Sequence, residues 1–339
     1  MKSFFAVFGG RKACPKLAVV LAGVILSGST YAQAPQAAPV KIKVGYTIST
    51  DPSVLPLLYA VKSGEFKNAG LDVEAKAFAQ SSLKYDTFKA GGIDVDVNMG
   101  AINAAQLHIA GVPVVVLRAV QTAEQWAIIV KNESPIKKPE ELRGTRFAVT
   151  TFSGTNFGAT YLSMKIFGID FMRDMKVSTL PPSNLLAALE KDDVQAATLY
   201  EPYLSNAMKT GKYRILFRPS EVYKKQYNRD LIALTLGARS DFYQKNKAAM
   251  QKFVAVLERS NENLGKNVDE ASEIMAKEIP ELRMTPQQIK EIVVPYLGAY
   301  VREQNTPEFI AGMQKFYDEL LEIKQLNKPV TASEFWVKP

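Results

Sequence analysis

The sequence has almost none of the two side chains that most often carry covalent and metal chemistry. It contains one cysteine, Cys14, and one histidine, His108, in 339 residues. A single thiol allows no internal disulfide and no thiolate metal site, and a single imidazole excludes zinc sites built on several histidines. A Ser/His/Asp triad would have to use His108, which we interpret as structural because it lies in the short helical run INAAQLHIAG. We therefore expect no metal, no cofactor and no enzymatic activity.

Long apolar runs are also missing, apart from one near the N-terminus. The run LAVVLAGVILSG, Leu17 to Gly28, follows four basic and no acidic residues and leads into STYAQA. This arrangement predicts a secretory signal over residues 1–32, because the run is too short to span a bilayer and small residues stand at cleavage spacing. The alternative is an ordinary buried N-terminal helix. Cleavage after Ala32 would remove Cys14 and leave an exported, soluble chain without any thiol.

The rest of the sequence contains no cluster of basic or of acidic residues. The whole chain carries a net charge of +8, and loss of the four basic residues of the leader leaves +4. The basic residues are scattered, so nucleic-acid binding is not predicted. Asp94 and Asp96 alternate on one strand, but without further acidic neighbours they do not predict a calcium site.

The order of periodic segments predicts an α/β protein with two lobes. Alternating strands such as KIKVGYT, LDVEAKAF and IDVDVNMG are separated by single amphipathic helices, which is typical of parallel sheets with helices on both faces. The segments SSLKYDTFKAGGIDVDVNMG and PSNLLAALEKDDVQAATLYE share one order of elements: a polar cap, an amphipathic helix, a tight turn and an apolar strand with a polar end. About 305 residues remain after the predicted cleavage, which is more than a single hydrophobic core usually accommodates. We therefore predict two similar lobes with a cleft between them. The sequence after LIALTLGARSDF is helical, and these helices need a lobe on which to pack.

The carboxyl ends of the predicted strands carry small polar and aromatic residues with few charges. In parallel α/β sheets the loops at these ends face the ligand, and such residues suit neutral hydrogen bonds to a small molecule. The alternative interpretation of each serine, threonine or asparagine is a helix cap. The predicted ligand-binding residues are Tyr46, Ser49, Thr50, Gln80, Ser81, Ser82, Asn98, Gly100, Gln121, Thr151, Phe152, Ser153, Gly154, Thr155, Tyr200, Glu201 and Arg229.

The stretch VTTFSGTNFGATYLSM, Val149 to Met164, combines a strand, a small polar turn and a helix, as catalytic and phosphate-binding loops do. It matches none of three such motifs. It lacks the lysine of a Walker A loop, the three glycines of a dinucleotide fingerprint and the GxSxG of a nucleophile elbow. A helix start with free N–H groups remains, which is a common place to hold a carboxylate, sulfonate or other anionic head. Ser153 or Thr155 is expected to cap this helix and donate a hydroxyl outward.

The predicted site residues divide into three roles. Ser153, Gly154 and Thr155 are expected at an anionic or polar head group, with Ser81 and Ser82 approaching from the first lobe. The expected aromatic walls are Tyr46, Phe152 and Tyr200, each with a core position as the alternative. Three charged residues stay ambiguous between a ligand contact and an internal ion pair, namely Arg118, Glu201 and Arg229.

Short segments occur in a characteristic order over residues 41–265. They are KIKVGYT, GLDVE, GGIDVDVNMG, AGVPVVVL, IIVKNESPIKKPEELRGTRFAV, SGT before a helix, LPPSNLLAALEKDDVQAATLYEPY and ARSDFYQKNKAAMQKFV. This order resembles the periplasmic substrate-binding proteins of ABC importers. The similarity is to the branch that includes aliphatic-sulfonate, taurine, nitrate and thiamine-pyrimidine-precursor receptors.

The resemblance implies a two-lobed, type II-like periplasmic-binding-protein fold in which each lobe is a mixed, mostly parallel sheet flanked by helices. The implied first lobe comprises residues 41–122 and 230–339, including the C-terminal helices, and the second comprises residues 123–229. The implied crossings lie near 120–126 and 218–232. The implied function is a monomeric extracytoplasmic receptor that delivers a small organic ligand, anionic or aromatic, to an inner-membrane ABC permease. The alternatives are an enzyme on the same scaffold, such as a pyrimidine-precursor synthase, and a secreted ligand sensor.

Overall fold

Two separate five-stranded sheets organise the protein. The computed structural model describes residues 38–49, 53–299, 301 and 305–338. The predicted signal segment, residues 1–32, and the predicted site residue Thr50 lie outside this part of the chain.

The strands and helices alternate along the chain as the sequence pattern predicts. The strands of the described residues are β1 (Val40–Thr47), β2 (Leu71–Phe78), β3 (Val95–Gly100), β4 (Val114–Thr122), β5 (Trp126–Lys131), β6 (Arg146–Val149), β7 (Lys176–Thr179), β8 (Ala196–Tyr200), β9 (Tyr213–Phe217) and β10 (Ile232–Arg239). The α-helices are α1 (Val54–Lys62), α2 (Glu65–Asn68), α3 (Ser81–Lys89), α4 (Ala101–Ile109), α5 (Gly154–Ile166), α6 (Pro182–Glu190), α7 (Tyr203–Lys209), α8 (Pro219–Tyr227), α9 (Ser240–Lys245), α10 (Lys247–Glu278), α11 (Pro286–Val293), α12 (Pro307–Glu322) and α13 (Ala332–Phe335). Short 3-10 helices span Ala123–Gln125, Pro139–Leu142, Pro280–Leu282 and Val294–Ala299.

Both sheets have the same internal plan. The first has the order β2-β1-β3-β10-β4 and the second β7-β6-β8-β5-β9. The first three strands of each are parallel, and the fourth, β10 or β5, runs antiparallel to both of its neighbours. That fourth strand is in each case the one by which the chain enters from the other sheet. The prediction of an α/β protein with mixed, mostly parallel sheets is therefore confirmed. We call the first sheet with its helices the first lobe and the second sheet with its helices the second lobe.

The C-terminal helices complete the core of the first lobe, as predicted. Helix α10 packs along α1 on one face of the first sheet, where the Phe66 and Phe253 rings stack at 5.0 Å. Helices α12 and α13 cover the other face together with α4, and the Tyr317 and Phe335 rings lie 5.6 Å apart there. None of the helices in the described residues is long and apolar enough to cross a membrane.

The chain passes between the sheets twice. It leaves β4 through the 3-10 helix Ala123–Gln125 to enter β5, and it returns from β9 through α8 to β10. The two passages touch where the Ala123 N–H donates to the Leu231 carbonyl at 2.9 Å. The exact limits of the lobes, residues 41–122 with 230–339 for the first and residues 123–229 for the second, stay a prediction.

The second lobe also contacts the C-terminal helices of the first. Lys165 on α5 pairs with Glu322 on α12, and Lys209 on α7 pairs with Glu291 on α11 at 2.9 Å. Gly158 allows α5 to approach closely, because a Cβ there would collide with the Ile102 side chain of α4. Residues 39–339 accordingly form one compact unit.

Candidate functional site between two helix starts

Asn98 fixes the ends of two parallel strands of the first sheet. Its Oδ1 accepts from the Thr47 N–H at 3.0 Å, and its Nδ2 donates to the Thr47 carbonyl at 3.2 Å. The Lys84 ammonium donates to the same Oδ1 at 2.7 Å. Asn98 is only 6% exposed, so its amide is occupied by the protein itself. Asn98 thus positions the ends of β1 and β3, and its contact with a ligand stays a prediction.

The hydroxyl groups beside Asn98 remain at the surface of the first lobe. Ser81 Oγ lies 3.1 Å from Thr47 Oγ1, at the start of α3. Ser81, Ser82 and Gln80 are all exposed at this start. Ser49 is half-buried, and its Oγ donates to the Thr47 carbonyl at 3.4 Å.

A buried ion pair, which the sequence analysis did not predict, lies beneath this edge. Lys84 Nζ and Asp96 Oδ1 are 2.7 Å apart, and both side chains are fully buried. The Asn98 N–H also donates to Asp96 Oδ1, at 3.1 Å. Burial raises the pKa of Asp96, and the Lys84 ammonium and the Asn98 N–H offset only part of that effect. One signal was available, since Lys84 stands four residues before the buried Phe88 and so shares its helix face.

The two lobes meet where α4 and α5 begin. Thr155 Oγ1 on α5 accepts from the Ile102 N–H of α4 at 3.1 Å. Gly100 makes this approach possible, because a Cβ there would lie 2.7 Å from Thr155 Oγ1 and would also collide with Asn103 Oδ1. The Asn103 side chain in turn lies against Gly154, where a Cβ would be 3.4 Å from its Oδ1. The contact therefore joins the two helix starts through one hydrogen bond and two glycines.

The start of α5 differs from the sequence prediction. Neither Ser153 nor Thr155 caps the helix with its side chain, and the predicted cap is therefore wrong. Thr155 is 5% exposed, and its oxygen is used by the other lobe. Ser153 Oγ lies 3.1 Å from Thr151 Oγ1, and Thr151 Oγ1 accepts from the Ser153 N–H at 3.2 Å.

The α4 and α5 starts provide a local positive potential. Neither helix is capped by the side chain of its own N-cap residue. The Ile102 N–H of α4 is bonded to Thr155, but the other first-turn N–H groups and the positive ends of both helix dipoles point out of the helices at the place where the lobes meet. Thr151, Phe152 and Ser153 are exposed beside the α5 start. Such an arrangement can bind the oxygens of a small anion without any charged side chain.

Two exposed apolar side chains stand beside the starts of α5 and α3, one in each lobe. Phe152, 46% exposed, precedes α5 and meets Phe157 edge-on at 5.7 Å. Leu83, 57% exposed, lies in the first turn of α3. Apolar groups in these places can contact the body of a ligand whose head is held by the helices.

The other two predicted aromatic walls are more deeply placed. Tyr46 belongs to the core of the first lobe, and burial raises its pKa to about 12. Tyr200 is half-buried at the end of β8, where it meets Tyr203 edge-on at 5.6 Å, and burial raises the pKa of Tyr200 as well. The structure therefore gives Tyr46 a structural role, whereas Tyr200 keeps a partly open position.

Glu201 takes neither of the two roles that the sequence analysis left open. Its Oε1 accepts from the Tyr296 hydroxyl at 2.8 Å, and its Oε2 accepts from the Ser205 N–H at 3.0 Å. The partner is thus a tyrosine of the C-terminal segment and not a ligand or a basic residue. Because Tyr296 lies in the 3-10 helix that follows α11, this bond is another contact between the lobes.

The two arginines are held by internal ion pairs. Arg229 donates to Glu319 Oε1 at 2.8 Å and to the Gly312 carbonyl at 2.7 Å, both on α12. Arg118 is buried and pairs with Glu258 on α10. The predicted ligand contact of Arg229 is therefore replaced by a contact that ties the return crossing to α12.

The Tyr296–Glu201 contact predicts a specific response to alkaline pH. Burial, and next the Glu201 carboxylate, raise the pKa of Tyr296 from 10.0 to about 12. Between these values the folded state keeps a proton that the unfolded state has lost, so stability falls as the pH rises from 10 to 12. We expect Tyr296→Phe to show a shallower fall over this window, measured by urea unfolding at several pH values. Identical slopes for variant and wild type would contradict this assignment.

The structure brings only some of the predicted residues together. Ser81, Asn98, Gly100 and the run from Thr151 to Thr155 lie along the line of contacts described above. Tyr46 and Arg229 are engaged elsewhere. Glu201 is engaged with the C-terminal segment, and Gln121 is buried at the end of β4. No group of three or more His, Cys, Asp or Glu side chains in the described part of the chain is arranged to hold a metal ion.

Comparison with known proteins decides the family. The model of the family described as NMT1/THI5 like matches residues 51–271. The chain belongs to the NMT1/THI5-like family. The resemblance in the order of its segments is thereby confirmed.

Two curated relatives of this NMT1/THI5-like chain come from Escherichia coli (strain K12). The taurine-binding periplasmic protein is 28% identical over 182 residues, 52% of this chain and 53% of the relative. The putative aliphatic sulfonates-binding protein is 27% identical over 201 residues, 58% of this chain and 60% of the relative. The chain thus matches somewhat more than half the length of each.

Solved structures share the fold of this family member over most of its length. The periplasmic aliphatic sulphonate binding protein SsuA from Escherichia coli has a TM-score of 0.74 at 19% identity, covering 88% of this chain and 97% of that one. The periplasmic nitrate-binding protein NrtA from Synechocystis PCC 6803 has a TM-score of 0.65 at 16% identity, covering 87% and 84%. The predicted two-lobed periplasmic-binding-protein fold is confirmed.

Proposed function

We propose that the protein is an extracytoplasmic solute receptor that captures a small organic anion between its lobes and delivers it to an ABC importer. The observation that carries the proposal is the meeting of two helix starts, α4 of the first lobe and α5 of the second, neither of which is capped by its own N-cap side chain. An anion held there would contact both lobes at once. Binding would then favour the arrangement in which the lobes lie together.

The chemistry around the helix starts favours a sulfonate or a similar head group. Backbone N–H groups and the exposed hydroxyls of Ser81, Thr151 and Ser153 can donate to several oxygens. The buried cation Lys84 is already paired with Asp96, so it adds no net charge. The names of the two curated relatives, which refer to taurine and aliphatic sulfonates, support this ligand class.

The rest of the proposed ligand is apolar and small. Phe152 and Leu83 offer exposed carbon surface on opposite lobes, which suits a short alkyl or aryl body. We propose a monomer in the periplasm, with the joined lobes as the surface that a membrane permease recognises. The predicted signal segment and the word periplasmic in the name of the taurine-binding relative support this location.

A ligand panel tests the proposal directly. The purified protein is heated with ethanesulfonate, taurine, nitrate, benzoate, short carboxylates and a pyrimidine, and the unfolding temperature is recorded. A ligand at about 100 times its Kd should stabilise the folded state by about 2.7 kcal/mol. We expect alkanesulfonates to raise the unfolding temperature without being altered. Absence of any shift across the panel, or chemical turnover of a panel member, would contradict a receptor role.

A further inference from the structure

Gln121 has a buried amide that the protein leaves without a partner. The residue stands at the end of β4 and is 2% exposed. Its Oε1 and Nε2 are both buried, and neither has a hydrogen-bond partner among the residues that the structure describes. Buried side-chain amides are almost always hydrogen-bonded, because leaving one unpaired destabilises the fold. An amide with both groups unpaired therefore points to an external partner.

Strand pairing places this amide on the side of the sheet where the two helices begin. Leu234 on β10 is paired with Gly100 on one side and with Gln121 on the other. The β10–β4 register is irregular beside Leu234, but side chains alternate along β4, and Ala119, two residues before Gln121, packs in one core cluster with Ala104 and Ala105 of α4. A Cβ on Gly100 would point at Thr155, so the Gln121 side chain points to the face on which α4 and α5 meet. Two strand spacings of about 4.8 Å separate the Gln121 and Gly100 backbones.

A second unpaired amide nitrogen lies in the first turn of α5. Asn156 Nδ2 is buried and has no partner in the described residues. One turn further along α5, the Thr160 hydroxyl meets the Thr198 hydroxyl of β8 at 3.0 Å. Asn156 therefore lies on the helix face that is turned toward the second sheet. Both lobes thus bring an unsatisfied neutral amide to the neighbourhood of the helix starts.

We propose that Gln121 is a specificity-determining residue whose amide hydrogen-bonds a neutral polar group on the ligand. This inference rests on the proposed function, with the anionic head at the helix starts and the neutral group about 10 Å or less away. A carboxamide offers both an acceptor and donors, so it suits a hydroxyl or an amide. A buried ammonium would need a carboxylate of its own. Asp96, whose Oδ2 has no partner in the described residues, already neutralises Lys84, and both Glu201 oxygens are bonded, to Tyr296 and to the Ser205 N–H.

A pair of ligands that differ in one group tests this inference. Isethionate, 2-hydroxyethanesulfonate, differs from 1-propanesulfonate by a hydroxyl in place of a methyl group. We expect the wild-type protein to bind isethionate at least tenfold more tightly in calorimetric titrations. Gln121→Met, which keeps the size but removes the amide, should reduce that preference to less than threefold.

The unliganded variants provide an independent readout. Gln121→Met loses no internal hydrogen bond, so its unfolding temperature should equal or exceed that of the wild type. The matched control is Gln314→Met on α12, where the amide bonds Asp318, Val330 and Ala332 at 2.8 to 2.9 Å. The control should unfold at a lower temperature and keep the full preference for isethionate.

The possible failures are distinguishable. If neither sulfonate nor any other panel member binds the wild type, the proposed function is overturned, and the inference with it. If both sulfonates bind but the wild type shows no preference, or Gln121→Met keeps it, only the inference is overturned. A drop of several degrees in the unfolding temperature of Gln121→Met would also overturn it, because the amide would then have an internal partner.

Discussion

Gly100→Ala is expected to weaken ligand binding at least tenfold while the first lobe remains folded. The new Cβ would lie 2.7 Å from Thr155 Oγ1 and would also collide with the Asn103 side chain. Both groups must move, and the hydrogen bond from the Ile102 N–H to Thr155 is broken. The α4 and α5 starts then separate, so that one anion can no longer be held by both. A tenfold loss corresponds to about 1.4 kcal/mol of binding free energy.

Calorimetric titration of the variant with the best sulfonate of the panel measures this effect. Gly265→Ala is the control, since it makes the same chemical change in α10, where the added Cβ would meet nothing within 4 Å apart from the neighbouring backbone of its own helix. The control should bind normally. Wild-type affinity in Gly100→Ala would show that the ligand does not need the contact between the two helix starts.

Lys84→Met is expected to lower the free energy of unfolding by about 3–5 kcal/mol, because it leaves a buried carboxylate without its counter-charge. Asp96 is fully buried, and its Oδ2 has no partner in the described part of the chain. The variant would also lose the bonds that Lys84 makes to Asn98. Urea unfolding at neutral pH gives the change.

Two comparisons separate this effect from simple loss of a lysine. Lys41→Met removes a cation from an exposed pair with Glu74 and should change the free energy of unfolding far less, because water screens that pair. Adding Asp96→Leu to Lys84→Met should restore part of the lost stability, since no buried charge remains. In Lys84→Met the pKa of Asp96 is raised further, so the protonated folded state is favoured and the loss should shrink as the pH falls. A loss below 1 kcal/mol at neutral pH would contradict the assignment.

Most of the fold could be predicted from the local spacing of apolar residues in the sequence. Alternation in KIKVGYT and IDVDVNMG and the helical spacing of PSNLLAALEKDD correspond to β1, β3 and α6. These signals are local, because the face that each side chain buries is set by the period of its own strand or helix. The repeated order of elements then limited the topology to two similar sheets.

The site was predicted less completely, because its side chains depend on contacts between distant parts of the chain. Thr155 was expected to hold the ligand, yet its oxygen accepts from Ile102 in the other lobe. Glu201 meets Tyr296, and Arg229 meets Glu319. Such partners are 53 to 95 residues apart in sequence. The hydrophobic periodicity of a single strand or helix carries no information about such distant partners.

One predicted residue gained importance from the structure. Gln121 was predicted to bind ligand only because it stands at the end of a strand. The structure shows that its amide is buried and unpaired among the described residues, which no sequence pattern could reveal. The same position therefore changes from one polar strand end among many to a candidate determinant of specificity.

A crystal structure of the protein with its best sulfonate ligand tests the central claim most directly. We expect the sulfonate oxygens within hydrogen-bond distance of main-chain N–H groups at the starts of both α4 and α5, with the rest of the ligand extending toward Gln121 and Phe152. A ligand bound to one lobe only, or away from both helix starts, would contradict the account.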